Sequence, residues 1–195
     1  VGGHNSSDYD GNVNRVFGSI SVSENRQVGS LTTVNGGITL SDNVKADELT
    51  TVNGGVTVGD FCEIDGITVV NGDIEAGKQL VSGDGIESVN GDIILGSGAK
   101  VDGSLITVNG DIEAADLTLT DNIETVNGDI TISGNSIIEG DIIYDDPENN
   151  DNHSTPTLSI TDTVRLNGEI VLERDVKLEI PDTMTSKVRY KSSAM

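Results

Sequence analysis

The triplet Val-Asn-Gly occurs six times in this chain at an almost constant spacing. Its valines are separated by 18, 18, 19, 19 and 18 residues and are Val34, Val52, Val70, Val89, Val108 and Val126. A fixed period of this length is typical of a solenoid, in which each repeat stacks on its neighbours. The spacing therefore predicts a coil of about 18 residues.

Each repeat also contains a shorter period of six residues. If the triplet valine is the first residue of a hexad, apolar residues recur four, six and, more loosely, twelve positions later, as at Ile38, Leu40 and Ala46. Each coil thus consists of three hexads, with residues expected to face inward at the first and fifth places. The triplet valine is one of these residues. The pattern predicts three short strands around a triangular core. A helix is excluded because this spacing makes no single helical face.

The Asn-Gly pairs predict one corner of every coil. Gly adopts the left-handed conformation freely and Asn tolerates it, so a pair such as Asn53-Gly54 can turn the chain sharply. Stacked coils would align the Asn side chains in a column, whose amides can bond to the coils above and below. An Asn-Gly pair also suits an antiparallel hairpin, an alternative that the strict recurrence disfavours.

The repeat gives the following domain organisation. Residues 1–15 are expected to form an N-terminal cap or tail, 16–180 a solenoid of about nine coils, and 181–195 a C-terminal tail. The segment 145–156, rich in Asp, Asn and Pro, is predicted to be a loop insertion that replaces one strand. At about 4.8 Å per coil, the rod would be on the order of 40 Å long. The expected fold class is an all-β, single-stranded parallel β-helix.

Charge bounds the possible partners. The net charge is −22, with 11 Lys and Arg against 33 Asp and Glu, which disfavours nucleic acid and anionic membranes. The C-terminal part is different, because residues 165–195 hold six bases and five acids. This uneven charge is compatible with head-to-tail contacts or with an ordinary acidic surface.

The cellular compartment is only weakly indicated. The single cysteine, Cys62, occupies a core position of the repeat and is expected to be a small buried residue. The sequence starts at Val1 and has no apolar segment that could span a membrane. We expect an exported, periplasmic or envelope protein, for which a removed signal peptide is compatible with the sequence, and a cytoplasmic location stays open.

Two groups of acids are candidate calcium ligands. Four aspartates follow the Asn-Gly corner and would stack about one strand spacing apart, where a divalent cation could relieve their repulsion. A simpler interpretation is that they bond to backbone groups of the corner and stay solvated. A second group lies in the insertion. The candidates are Asp73, Asp92, Asp111 and Asp129, and in the insertion Asp145, Asp146, Glu148 and Asp151.

The hexads are similar to those of the left-handed hexapeptide-repeat helix of acyltransferases and gamma-class carbonic anhydrases. Those enzymes use His as catalytic base or as zinc ligands. This chain has two histidines, His4 and His153, and both lie outside the regular repeats. The resemblance to these enzymes is therefore limited to the repeat pattern and the fold. We expect no catalytic residue and no cofactor.

A second resemblance is carried by recurring Gly-Asp-Ile segments. They are Gly72-Asp73-Ile74, Gly91-Asp92-Ile93, Gly110-Asp111-Ile112, Gly128-Asp129-Ile130 and Gly140-Asp141-Ile142. In this respect the chain resembles the bactofilin-like group of polymer-forming bacterial solenoids. The resemblance implies a right-handed helix, favoured over a left-handed one, and end-to-end self-assembly.

These observations favour a non-enzymatic structural or interaction protein of the bacterial envelope or an exported type. It would act as a homo-oligomer through its ends or a flat face. The alternatives are an adhesin-like or carbohydrate-binding β-helix with a glycan partner, and a polysaccharide-active enzyme with paired acids on one face.

Overall fold

The structure, a computed structural model of the chain, describes residues 11–148 and 154–191. Almost all of its regular elements are short strands, and one 3₁₀ helix follows near the end. In chain order they are β1 Val13–Phe17, β2 Ile20–Val22, β3 Leu31–Asn35, β4 Ile38–Leu40, β5 Glu48–Asn53, β6 Val56–Val58, β7 Glu63–Ile64, β8 Gly66–Asn71, β9 Ile74–Ala76, β10 Val81–Ser82, β11 Ile86–Asn90, β12 Ile93–Leu95, β13 Lys100–Val101, β14 Leu105–Asn109, β15 Ile112–Ala115, β16 Thr118–Leu119, β17 Ile123–Thr125, β18 Ile130–Ser133, β19 Ile137–Ile138, β20 Ile142–Tyr144, β21 Thr157–Ile160, β22 Arg165–Leu166, β23 Ile170–Leu172, β24 Lys177–Glu179, the 3₁₀ helix Asp182–Lys187, and β25 Val188–Tyr190.

The strands form three parallel sheets, which confirms the predicted parallel β-solenoid. Sheet A has the order β1-β3-β5-β8-β11-β14-β17-β20-β23-β25, and sheet B the order β2-β4-β6-β9-β12-β15-β18-β21-β24. Sheet C has the order β22-β19-β16-β13-β10-β7, and single bridges from Gln27 to Lys45 and from Lys45 to Glu63 extend it. The chain visits A, B and C in turn, and we number its ten coils by their sheet A strands. The expected right-handed sense stays a prediction.

The core is a column of aliphatic side chains along the rod axis. Positions four residues after the triplet valine are buried in every coil, as at Ile38, Ile74 and Ile112, as the hexad pattern predicted. Cys62 is buried in this column, and its thiol lies 3.2 Å from the carbonyl oxygen of Ser41. Burial raises the pKa of the Cys62 thiol, as expected for a core residue.

The prediction that the triplet valine faces the core was wrong. In β3 the buried residues are Leu31 and Thr33, while Thr32 and Val34 lie on the outer side. Side chains alternate between the two sides of a strand, so a buried Thr33 forces Val34 outward. The looser third position also shifts once, because Leu119 and not Thr120 faces the core where the coil is one residue shorter.

The regular pairing extends beyond both expected boundaries. Sheet A begins at Val13, which pairs with Leu31, and ends with Tyr190, which pairs with Leu172. In coil 9 the 3₁₀ helix stands where the chain would otherwise return to sheet C, and its Met184 is buried against the core. The segments expected to be tails therefore contribute coil structure and a cover for part of one end.

The insertion does not replace a strand. Its coil keeps β20 in sheet A, β21 in sheet B and β22 in sheet C. The extra residues leave from the place where other coils turn at Asn-Gly, between Tyr144 and Thr157. A corner accepts added chain without breaking a ladder of hydrogen bonds, because it lies between the paired strands.

Candidate functional site

The Asn residues of the corner form a hydrogen-bonded column, as predicted. The side-chain amide of Asn53 donates to the Oδ1 of Asn35 at 3.1 Å, and the same contact repeats up the rod. The later contacts are Asn71 to Asn53, Asn90 to Asn71, Asn109 to Asn90 and Asn127 to Asn109, at 2.9 to 3.1 Å. Stacked amides of this kind hold parallel strands in register.

The glycines of the corner serve close packing. A Cβ on Gly110 would overlap the carbonyl oxygen of Gly91, and one on Gly72 would overlap that of Gly54. Because each coil rests directly on the one before, no side chain fits between them.

The expectation that the corner Asn residues adopt the left-handed conformation was wrong. Among the described residues, the side-chain-bearing residues with positive φ stand at another corner, between sheets B and C. They are Asn25, Asn43, Phe61, Gln79 and Asp116, and the equivalent places in two other coils hold Gly98 and Gly134.

Buried hydroxyl groups satisfy the carbonyls of the corner. Thr51 is fully buried, and its Oγ1 donates to the carbonyl oxygen of Gly36 at 2.8 Å. Thr33, Ser88 and Thr107 make the same contact with the preceding coil. The hydroxyl supplies a donor to a polar atom beside the core.

The aspartates that follow the corner bond to the backbone of the next coil. The Oδ1 of Asp73 accepts the N–H of Asp92 at 2.9 Å, and Asp92 in turn accepts the N–H of Asp111 at 2.8 Å. Asp111 accepts the N–H of Asp129, and Asp129 accepts the N–H of Thr157. One oxygen of each carboxylate is thus engaged in holding adjacent coils together.

The same contact occurs at the other two corners. Asp42 and Asp60 accept the backbone N–H one coil further on, at 2.8 Å in both cases. Asn122 and Asp141 do so between sheets C and A. Side-chain acceptors at turns are therefore a general device for joining coils in this molecule.

The insertion begins beside the Asn column and brings a tyrosine into the core. Tyr144 is fully buried where earlier coils have Thr, and its hydroxyl lies 3.0 Å from the Gly128 carbonyl and 3.3 Å from that of Thr157. Burial, followed by the charge of Asp129, raises the pKa of Tyr144 far above its usual range. Tyr144 therefore joins the corner of the preceding coil to the strand that follows the insertion.

A pair of carboxyl groups lies at the start of the insertion. Glu124 and Asp145 are hydrogen-bonded and half-buried on the outer side of sheet A. Burial, followed by the charge of Asp145, raises the pKa of Glu124, and burial also raises the pKa of Asp145. Two partly desolvated carboxyls in contact favour a shared proton.

A groove of about 560 Å³ runs between the insertion and the Asn column. Its lining combines apolar, amide and carboxyl groups: Val108, Asn109, Val126, Asn127, Asp145, Asp146, Pro147 and Glu148. Three of the insertion residues proposed as calcium ligands are in this lining, and the fourth, Asp151, lies outside the described residues. His4 and His153 lie outside them as well.

Arg174 closes the Asn column above this groove. Its Nη1 donates to the Oδ1 of Asn127 at 2.6 Å and to the carbonyl oxygen of Val126 at 2.9 Å. The guanidinium reaches past the coil that carries the insertion, where the Asn-Gly corner is missing. Sequence reasoning missed Arg174 and Tyr144, which lie outside the strict repeat, and Glu124, which occupies a variable outward position inside it. The break in the Asn column at Asp146 is the sequence signal that marks their location.

The structure shows how the acids predicted to bind calcium are arranged. Within residues 11–148 and 154–191, no group of three or more His, Cys, Asp and Glu side chains is placed so that it could hold a metal ion. In the column formed by Asp73, Asp92, Asp111 and Asp129, one oxygen of each carboxylate accepts a backbone N–H. Calcium binding at either group stays a prediction, which calorimetric titration with calcium tests directly.

No helix in the described part of the chain is long and apolar enough to cross a membrane. No family model matches the sequence, and no curated protein or solved structure matches it significantly. The class of protein, a parallel β-solenoid of about ten coils, therefore rests on the topology itself.

Proposed function

We propose that the protein is a non-enzymatic structural or interaction rod of the bacterial envelope or an exported type, similar in role to the bactofilin-like solenoids. One observation carries the proposal: the polar residues that recur along the rod bond to the neighbouring coil. Asn amides, Thr hydroxyls and Asp carboxylates all do so. Repetition in this chain thus serves the integrity of the rod.

The way in which such a rod assembles is constrained by its ends. A further coil added at the C-terminal end could extend sheets A and B from β25 and β24, but the 3₁₀ helix occupies the place of sheet C. Complete continuation of three sheets is blocked there. The side of the rod is the better supported surface for self-association.

The proposal is tested by activity and association measured together. We expect no turnover of neutral or acidic polysaccharides between pH 4 and pH 9, and concentration-dependent association in sedimentation velocity. The carboxyl pair is the chemically plausible alternative, because catalytic acids commonly have raised pKa values. Turnover that is lost in Glu124→Gln and kept in Glu113→Gln, an exposed acid of sheet B, would overturn the non-enzymatic assignment.

The groove beside the insertion favours carbohydrate binding as a second function. Amide and carboxyl groups beside exposed Val108 offer hydrogen-bond partners and an apolar contact to a sugar. A glycan array followed by calorimetry tests it. We expect Asp146→Asn to weaken binding and Asp65→Asn, an exposed acid on another side, to leave it unchanged. Equal affinity for all three proteins would remove the groove from consideration.

A further inference from the structure

The triplet valines form a continuous column on the outer side of sheet A. The register aligns Thr51 with Val69 and Asn53 with Asn71, which places Val52 directly beside Val70. The same alignment holds from coil 1 to coil 7. The valine column consists of Val16, Val34, Val52, Val70, Val89, Val108 and Val126, and each valine is partly or fully exposed.

The outer side of sheet B shows no such constancy. Its equivalent column reads Ser21, Thr39, Thr57, Glu75, Ile94, Glu113 and Thr131. Both columns lie on strands of the same rod, so β-propensity acts equally on them. An outward valine kept in seven successive coils of one sheet therefore indicates a surface that is covered by an apolar partner.

We propose that this surface binds a second copy of the chain, packed face to face and antiparallel over coils 1 to 7. In this arrangement Val70 meets Val70 of the second copy at the two-fold axis. Val52 then faces Val89, Val34 faces Val108, and Val16 faces Val126. The inference deepens the proposed function, because it names the partner and the surface of the interaction rod.

The charges of sheet A select this register. Beyond coil 7 the valine column is replaced by Asp145 and Glu173, which a full-length antiparallel overlap would press against Val52 and Val34. A parallel pair would bring each of these acids into the same layer as its own copy. Overlap of coils 1 to 7 leaves Asp145 and Glu173 beyond the last valine layer, so the acids that stay next to the valine column within the contact are Glu87 and Glu124.

The contact area is sufficient for a specific dimer. A five-residue strand is about 17 Å long and seven coils span about 34 Å, which gives roughly 570 Å² for each copy. The total of roughly 1,100 Å² lies just above the lower bound of about 1,000 Å² for a biological interface, in the range of weak and transient complexes. We therefore expect a reversible dimer in which the net charge of −22 on each chain opposes association at low salt.

Sedimentation velocity of the full chain tests the surface. Val70 and Ile94 are exposed by 36% and 37%, so Val70→Glu and Ile94→Glu are matched changes on sheets A and B. We expect the unmodified protein and Ile94→Glu to dimerise, and Val70→Glu to weaken dimerisation at least tenfold. Thermal unfolding of each variant checks that the monomer is intact.

The register has its own test. Chains with Val34→Cys and chains with Val108→Cys are mixed and treated with oxidised glutathione. We expect the mixed disulfide to exceed both symmetric ones, whereas a parallel pair would favour disulfides between identical chains. A protein that stays monomeric at high concentration and high salt, or a dimer unaffected by Val70→Glu, would overturn the inference. Neither result touches the non-enzymatic role, which fails only if turnover is found.

Discussion

Single side chains decide how each coil satisfies the corner carbonyl of the coil before it. Thr33, Thr51 and Thr107 donate a hydroxyl to a glycine carbonyl, but the same place in coil 4 holds Val69, which has no donor to offer. A buried acceptor without a partner costs about 1–3 kcal/mol. The chain thus contains its own comparison between the two residue types.

Thr51→Val and Val69→Thr should change stability in opposite directions. The first removes the 2.8 Å bond to Gly36 and should cost about 1–2 kcal/mol. The second offers a hydroxyl to the Gly54 carbonyl and should add about 1 kcal/mol. Urea unfolding measures both. Equal and small effects of the two changes would show that the hydroxyl column contributes nothing to stability.

The residues with positive φ at the corner between sheets B and C include one bulky aromatic residue, Phe61. Phe61 has φ 57° and is 57% exposed, whereas Asn25, Asn43 and Gly98 occupy equivalent places in other coils. The left-handed conformation is costly for a bulky residue. We expect Phe61→Asn to stabilise the protein by about 1 kcal/mol and Asn43→Phe to destabilise it similarly. Denaturant midpoints of both variants check this, and a destabilised Phe61→Asn would contradict it.

At the scale of the element, the corner limits what each coil can tolerate. The Gly of Asn-Gly lies against the carbonyl of the coil before it, so a methyl group there must push two coils apart. The same argument explains why the insertion leaves from the corner and why Tyr144 and Arg174 are needed around it. A long connection breaks the Asn column, and these two side chains restore contacts on either side.

Gly110→Ala should therefore be strongly destabilising. Its Cβ would overlap the Gly91 carbonyl, and we expect a loss of about 3 kcal/mol or more. Gly83→Ala is the matched control, because the nearest atom to its Cβ is the Asp65 carboxylate at 3.5 Å. Thermal unfolding of the two variants measures the difference. Equal melting temperatures would mean that the corner is looser than the contacts indicate.

The carboxyl pair Glu124 and Asp145 makes the stability of the folded protein depend on pH. The pKa values of Glu124 and Asp145 are raised, so the folded state holds protons that the unfolded chain has already released. Their contribution to stability is therefore lost as pH rises from the ordinary carboxyl range through the raised values. Asp121 and Glu173 add negative charge nearby, and Lys191 opposes it.

Glu124→Gln should stabilise the protein at pH 7 and flatten this pH dependence. Glu113→Gln removes the same charge from an exposed position and controls for the net charge. Unfolding free energies between pH 4 and pH 8 provide the measurement. If the two variants gave the same pH profile, the pair would have no special role.

Much of the architecture follows from the sequence, and the reasons are local. The triplet spacing predicts the coil, and the apolar residues four positions after the valine predict the core, because both report repeated geometry. The side to which Val34 points could not be predicted, because its apolar character fits either side and the decisive residue is the buried Thr33. The contacts of Arg174 with Asn127 join distant parts of the chain, which no short-range pattern records.

The whole molecule is a rod of ten coils that is held together by its own polar columns, and we propose that it makes contact along sheet A. The two ends differ, because the 3₁₀ helix covers part of the C-terminal one. At about 4.8 Å per coil the monomer is about 48 Å long. An antiparallel pair overlapping by seven coils would be about 62 Å long, and an end-to-end pair about 96 Å.

Small-angle X-ray scattering over a range of protein concentrations, in 1 M salt and with and without millimolar calcium, distinguishes lateral pairing from end-to-end assembly. At 1 M salt the screening length is about 3 Å, so the net negative charge no longer opposes association. We expect a growing cross-section with a length that stops near 62 Å, independent of calcium. Growth in length beyond that value at constant cross-section would contradict lateral pairing and establish assembly through the ends.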